Sequence, residues 1–476
     1  MISSSSLTRF TPAETLEEIY LTLSPEPLAT VQELKVFYCA KMNETRGGDK
    51  TERLKLGLKR AWNSQKCYKA CLMGHPGVGK STELNRLIND SVIKEKFQPI
   101  KFNVLTDLDP INFNPLDIIL LILLELVEKT KELSIAPGNK NLKALMDWYD
   151  TTKITQKESR HSEIKGEAGA GVKENSLWNQ VLALFASIKG EMRFASSREK
   201  EVTEYRFKRI NELIKIANDL ISECNDNLTN TDNRQWLIIG ENFDKNGVSP
   251  EAVQKLFIDY NNIIHDLDIH LIFTIPIGLY NSSNSIRLAF PNDKCLTIPD
   301  TAVFNPDNSA NNLGRNAIRQ VLESRVNLSL FAEGQLERII IASGGNIRDL
   351  FTLVAEASDE AILSGQQQIQ SKQVSQSIGK LKTEYERRLG QNPFDLDKVD
   401  YAQKLERLLK IYRNDKEAQI PDEVLYVLLN NRSVQEVPLE NEERYFRVHP
   451  LVVDLLYKQG KIDALPTGEV PGGTSS

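Results

Sequence analysis

The sequence predicts an α/β fold, three layers built around a mainly parallel sheet, that continues into a helical bundle and a small helix-and-hairpin module. Three observations lead there. Apolar runs suited to buried strands alternate with helix-length stretches, in the order strand, helix, strand. The nine residues GHPGVGKST (74–82) stand directly after the apolar run CYKACLM and directly before the helix-compatible ELNRLI. Beyond residue 309 the chain reads as mostly helical until the hairpin-like SVQEVPLENEERYFRV.

Residues 1–60 form a helical N-terminal segment in this reading. LEEIYLTL and VQELKVFYCAKM are its helices, parted by a turn at Pro25 and Pro27, and RGGDKTERLKLGLKRAW adds an Arg-Gly-Gly turn and a further helix. The α/β domain spans 61–308. Its expected strands are CYKACLM (67–73), PIKFNVL (99–105), RQWLIIG (234–240), IHLIFTIP (269–276) and KCLTIPD (294–300). About 125 residues separate the second and third, where a crossover needs only a dozen or more, so an accessory insertion is expected at about 131–200. Its start is polar and glycine-bearing, including KGEAGAGVKEN, whereas SLWNQVLALFASIKGEMRF is apolar enough to pack. The run VTEYRFKRINELIKIANDLI then places Phe207, Ile210, Leu213, Ile214, Ala217 and Ile221 on one helical stripe. An amphipathic membrane contact is the alternative there, and the mixed charge of the polar face ranks it second.

Residues 309–392 predict a helical lid ending at Asn392-Pro393. Residues 393–463 predict a winged-helix-like module: YAQKLERLLKIY, PDEVLYVLLNN, the hairpin, and LVVDLLYKQG after His449-Pro450. The Pro, Gly, Thr and Ser tail, 464–476, is expected to be disordered. No internal repeat is visible.

At 476 residues the chain predicts two to four domains. With 40% hydrophobic and 26% charged residues it can bury a core. A net charge of −6 argues against coating nucleic acid by bulk electrostatics but does not exclude a local basic face. Five cysteines without a C-x-x-C pair read as reduced intracellular thiols, which suits the cytoplasm. The serine-rich start has no charged leader and apolar core, so no export signal is expected. The most lipid-like run, IILLILL (118–124), falls far short of the roughly 20 residues a bilayer needs, and reads as a buried helix rather than a transmembrane segment.

GHPGVGKS matches the whole G-x-x-x-x-G-K-[ST] phosphate loop in its proper context between strand and helix. Gly74, Gly77 and Gly79 allow main-chain N–H groups to point inward at an anion, in conformations a Cβ tolerates poorly. His75, Pro76 and Val78 complete the cradle, Lys80 is placed to reach β- and γ-phosphates, and Ser81, followed by Thr82, offers a hydroxyl to Mg²⁺. The helix that begins there adds its positive dipole end. Hydrolysis also needs an acid near the metal and a sensor of the γ-phosphate. WLIIGENFDK supplies Glu241 and Asp244 in two frames. One has Gly240 replacing the usual metal-side Asp, with Glu241 as the water-activating group; the other puts Glu241 beside the metal and Asp244 as the second acid. Spacing does not separate them. Thr274, at the end of the fourth strand, is the sensor candidate, Arg287 a trans-acting arginine candidate, and Arg348, after the glycines of SGGNIRDL, a lid cation for the phosphates.

Together these pieces resemble the P-loop NTPases of the AAA+ and STAND group, especially bacterial members with an origin-recognition-like layout. The resemblance covers about three quarters of the chain: Arg46-Gly47, Gly74 to Thr82, Glu241 with Asp244, Thr274, Arg348 and the winged-helix-like 397–462. It implies that Arg46 belongs to the segment covering adenine, that ATP and Mg²⁺ are bound, and that lid closure drives self-association or control of a partner. Gly240 and the long insertion depart from the family's pattern. Bacterial STAND-like ATPases often act in phage defence, and this chain shows no effector motif, so an effector would be a separate protein. Two other functions stay open. One is a DNA-binding ATPase using the C-terminal module, which is not clearly basic; the other is a nucleotide-binding scaffold with little turnover.

Overall fold

The computed structural model describes residues 10–154, 174–193, 207–281, 286–287, 289–291, 294–390, 399–438, 444–463 and 465. Most of KGEAGAGVKEN, Asn392-Pro393 and nearly all of the 464–476 tail lie outside these residues.

Five parallel strands make the central sheet: β1 (Lys69–Met73), β2 (Phe97–Asn103), β3 (Gln235–Glu241), β4 (His270–Ile275) and β5 (Cys295–Thr297), in the order β2-β3-β4-β1-β5. The middle strands are buried on both faces, as helices on either side of a parallel sheet require. Along β3, Trp236 and Ile238 enter one core while Leu237 and Ile239 enter the other, so the strand's two faces feed separate layers. Together these features make the α/β P-loop fold predicted from the sequence.

β2 runs two residues earlier than the apolar pattern suggests and contains Pro99. The proline is tolerated because β2 is the sheet's edge, where a strand need not donate on both sides. The strand stops at Asn103, whose side chain accepts from Leu105 N at 3.0 Å and starts a helical turn.

The IILLILL run is buried throughout, in the helix Pro115–Glu132. Asn114 and Asp117 close its N-terminus as a reciprocal capping box, with Pro115 at the first turn. Of the stretch expected to be an insertion, the helices Asn139–Ile154 and Glu174–Arg193 are described. Leu142, Leu145, Trp148, Tyr149, Val181, Phe185, Ile188 and Met192 enter the same core as Phe102 and Phe273 of the sheet. Lys189 joins Glu125 at 3.1 Å and Glu128 at 2.7 Å, tying the second of these helices to Pro115–Glu132. The stretch is therefore continuous with a layer of the α/β core over its described part. The predicted apolar stripe completes that layer, with Leu213, Ile214, Ala217 and Ile221 buried on the helix Ile210–Asp232.

The first expected helix, LEEIYLTL, forms as the consecutive short helices Leu16–Glu18 and Ile19–Thr22, and the second begins as expected with the capped helix Val31–Phe37 and resumes only at Lys41–Glu44. VQELKVFYCAKM breaks at Tyr38, which is extended and sends its hydroxyl to Glu83 at 2.9 Å and Asn43 at 3.1 Å. Tertiary hydrogen bonding overrides local propensity here.

A second large core joins this segment to the helices Asn312–Glu323, Gln335–Ala342, Ile347–Leu363 and Ser371–Leu389. It also takes in the helices Tyr401–Tyr412, Glu423–Asn430 and Pro450–Lys458, with the antiparallel ribbon β6 (Val434–Pro438) and β7 (Arg444–Val448). If the helix Asn139–Ile154 is integral to the sheet's core, Trp148→Ala should cost about 3–5 kcal/mol. Urea denaturation followed by circular dichroism measures it, and a loss within experimental error would mean that the helix is peripheral.

Candidate functional site around the phosphate loop

The loop from Gly74 to Gly79 leaves β1 and enters the helix Lys80–Asn89. Its three glycines all have positive φ, for different local reasons. A Cβ on Gly74 would lie 2.3 Å from the Ile298 carbonyl, and one on Gly77 would lie 2.6 Å from Asn346 Oδ1 and 2.7 Å from Arg348 Cβ. At Gly79 there is room for a Cβ, but φ of +101° disfavours any residue that has one. No side chain caps the helix that follows, so its first N–H groups are left to the loop's own cradle.

Lys80 is 6% exposed and donates to the Gly74 carbonyl at 2.7 Å and the His75 carbonyl at 2.9 Å. Its ammonium also meets Asp244 Oδ2 at 2.8 Å. Lysine and carboxylate are both buried, so each depends on the other to offset its lost hydration. Lys245 beside them is lowered from its ordinary pKa by burial, with the Asp244 charge opposing.

The residues of both third-strand frames have defined surroundings. In the sheet register Gly240 stands between Phe102 and Phe273, and a Cβ on it would lie 2.7 Å from either ring. Aromatic rings occupy the place where a metal-side aspartate would project. Glu241 points to the other face, where Oε2 meets Lys101 at 2.5 Å and Oε1 is buried with no hydrogen-bond partner. Asp244, not Glu241, lines the cavity with Lys80.

That cavity, of about 550 Å³, gathers residues from four separate parts of the chain. The loop contributes Gly77 to Thr82, the β3 and β4 ends contribute Asp244 and Thr274, and the helix Ile347–Leu363 contributes Arg348. The N-terminal segment contributes Arg46, which donates to the Val78 carbonyl at 3.0 Å and to Thr301 Oγ1 at 3.1 Å, while Nη2 is buried without a partner. Burial lowers the Arg46 pKa, and the nearby charges of Asp300 and Glu83 raise it. An unpaired guanidinium N–H at a cavity wall suits an anionic or carbonyl ligand.

Thr274 lines the cavity, yet its hydroxyl accepts from Asn242 N at 2.9 Å and so holds the β3 end in place. Arg287 is exposed, lies outside the cavity and stands near Cys295, so within one chain it does not join the site. Gly74, His75 and Pro76 are not cavity walls either. His75 is buried against the ribbon and its Nε2 accepts from Glu436 N at 3.4 Å; burial lowers its pKa.

Sequence reasoning missed the cavity's apolar lobe. Phe37, Tyr38, Met42, Val321 and Phe351 line it, and Arg325 stacks between Phe37 at 4.8 Å and Phe351 at 5.1 Å. Burial pushes the Arg325 pKa down to about 10. The aromatic FY before Cys39 was its only local signal.

Among the described residues no group of three or more His, Cys, Asp or Glu side chains could hold a metal ion, and no helix is long and apolar enough to cross a membrane. The ribbon's Gln435 and Glu436 are buried, as is Arg447, so the described part of β6 faces the loop and lid rather than solvent.

No family model matches the chain, and neither does any curated protein. Solved structures with some likeness include Cdc6p from Pyrobaculum aerophilum, 12% identical, covering 92% of this chain and 98% of that one, with a TM-score of 0.37. The ORC2 protein of Aeropyrum pernix is 12% identical over 86% and 93%, with a TM-score of 0.40. The RuvB Holliday junction branch migration motor of Thermotoga maritima is 12% identical over 89% and 99%, with a TM-score of 0.35. What the site can do therefore follows from its own geometry.

Behind the loop, His449 stacks on Tyr385 with ring centroids 4.2 Å apart, and burial pushes its pKa down to about 4. The folded protein keeps this ring neutral, whereas the unfolded chain takes up a proton below the ordinary value of 6.5. The unfolded state then binds more protons, so stability falls as the pH drops from about 6.5 towards 4. Urea midpoints across that range should show the decline, and His449→Asn, which retains a helix-capping side chain, should flatten it by about one proton's worth. An unchanged slope would mean that His449 is already charged in the fold.

Proposed function

We propose that the chain is an ATP-binding switch, slow in hydrolysis, whose lid reports nucleotide occupancy to a partner or to further copies of itself. The observation that carries this is the shared cavity, where a phosphate loop, Arg46, Asp244 and Arg348 arrive from separate elements next to an apolar lobe suited to a base. Lys80 and the loop N–H groups would hold the phosphates, and Ser81 with Asp244 would face Mg²⁺, which usually keeps only one or two carboxylates beside substrate phosphates. Bound Mg·ATP supplies the negative charge and the transferable phosphoryl group. Lys80 would exchange its contact with Asp244 for one with phosphate, and Arg348, whose Cβ already lies against Gly77, would read the terminal phosphate from the lid.

Slow turnover is supported by Gly240, which removes one acid, and by Lys101, which engages the other candidate, Glu241. The resemblance to AAA+ and STAND ATPases, with the C-terminal part as a winged-helix-like module, extends the proposal to a cytoplasmic role in antiviral defence through a separate effector. DNA reading by that module is the alternative, and it would have to use surfaces other than the buried β6.

Calorimetric titration of Mg·ATP tests the proposal. Lys80→Ala should abolish measurable binding, and unchanged affinity would overturn it. Arg348→Ala should weaken ATP about tenfold or more while sparing ADP, the worth of one charged hydrogen bond. In turnover assays, Asp244→Asn should cost more than Glu241→Gln; the reverse order would return the metal-side role to Glu241.

A further inference from the structure

Two cysteines sit side by side beneath the loop in a role the nucleotide site does not use. Cys71 of β1 and Cys295 of β5 are direct partners in the parallel register. Facing residues of neighbouring strands lie about 4.8 Å apart, inside the roughly 4.4–6.8 Å between Cα atoms that a disulfide accepts. Both side chains turn to the same core, Cys71 within it and Cys295 packed against it. The Cys295 thiol donates to the Phe290 carbonyl at 3.3 Å, and the two thiols are near enough to shift each other's acidity.

The pair is asymmetric. Cys71 is fully buried, while Cys295 is partly exposed beside the turn that carries Arg287. The neighbouring Cys71 thiol holds the Cys295 thiol below its ordinary pKa against the effect of burial, and the Arg287 charge adds to this. Burial instead raises Cys67, Cys71 and Cys224. A more accessible, more acidic thiol next to a buried resolving thiol is the arrangement of a redox-responsive pair.

We propose that Cys71 and Cys295 form a peroxide-responsive dithiol, with Cys295 taking up the oxygen and Cys71 closing a disulfide across the β1–β5 edge. The Cys295 thiolate attacks one oxygen of a hydroperoxide, the O–O bond breaks, and Cys295 becomes a sulfenic acid as the second oxygen leaves as water or alcohol. The Cys71 sulfur then attacks the sulfenic sulfur and expels water. Both thiols are oxidised by two electrons in total, and the hydroperoxide is reduced by two. The bond would fall three residues before the phosphate loop, where Ile298 N donates to the Met73 carbonyl at 2.8 Å and the Ile298 carbonyl lies under Gly74.

The full chain, treated in native buffer with near-stoichiometric hydrogen peroxide, alkylated and mapped by mass spectrometry, tests this. One Cys71–Cys295 linked peptide pair is expected, at least tenfold above any other linkage and reversed by dithiothreitol. Cys295→Ser should leave Cys71 fully alkylatable, and Cys71→Ala, which keeps the core apolar, should leave a Cys295 sulfenic acid that dimedone captures. Reaction of Cys39 and Cys67 while Cys71 and Cys295 both stay reduced would overturn the proposal. So would a Cys295 sulfenic acid that accumulates in the unmutated chain without forming the link.

Discussion

A single buried carboxylate holds the molecule's parts in register around the loop. Asp300 is 0% exposed; it takes a hydrogen bond from Asn346 Nδ2 at 3.0 Å on one oxygen and from Gln435 Nε2 at 2.9 Å on the other. Asn346 also donates to the Pro76 carbonyl at 3.0 Å, and Gln435 to the Gly344 carbonyl at 2.9 Å. A charge so far from water is tolerated only when hydrogen bonds and opposite charges surround it. The cations of Arg46 and Arg432 meet that condition, each feeling the Asp300 charge. The phosphate loop, the turn before the helix Ile347–Leu363 and the ribbon therefore share one electrostatic requirement.

The glycines around this carboxylate are fixed by close approach. Gly345, with φ of +82°, would place a Cβ 1.7 Å from the Thr301 carbonyl, and Gly344 would place one 2.4 Å from His449 Nε2. At Gly345 main chain meets main chain, so a side chain there would push the turn before the helix Ile347–Leu363 away from the segment carrying Asp300 and Thr301. Further out, Arg432 pairs with Asp349 at 2.9 Å, and Tyr385 donates to the same carboxylate at 2.6 Å. Interactions of this kind have two arrangements, made or broken, and few between.

The fold was largely legible from the sequence, since strands buried on both faces must be continuous apolar runs and a phosphate cradle must have its glycines and lysine at fixed spacing. Less of the site was legible. Gly240 looked like a missing aspartate; only the register of β2, β3 and β4 shows that Phe102 and Phe273 occupy its place, and those residues come from distant parts of the chain. Arg348 stands beside the loop because paired glycines followed by a capped helix constrain the backbone strongly. The apolar lobe was not foreseen, for Phe37, Val321 and Phe351 become neighbours only through tertiary packing. Tyr38 likewise left its expected helix for a carboxylate more than forty residues away.

Pro99 has a consequence for how such a molecule can meet others. Because β2 is the outermost strand and this residue carries no amide hydrogen, the margin of the sheet is a poor template for a foreign strand. At the opposite margin β5 offers only three residues. Copies of this chain cannot readily extend this sheet into a continuous cross-molecular one, which leaves assembly to side-chain surfaces and other edges, easier to make conditional.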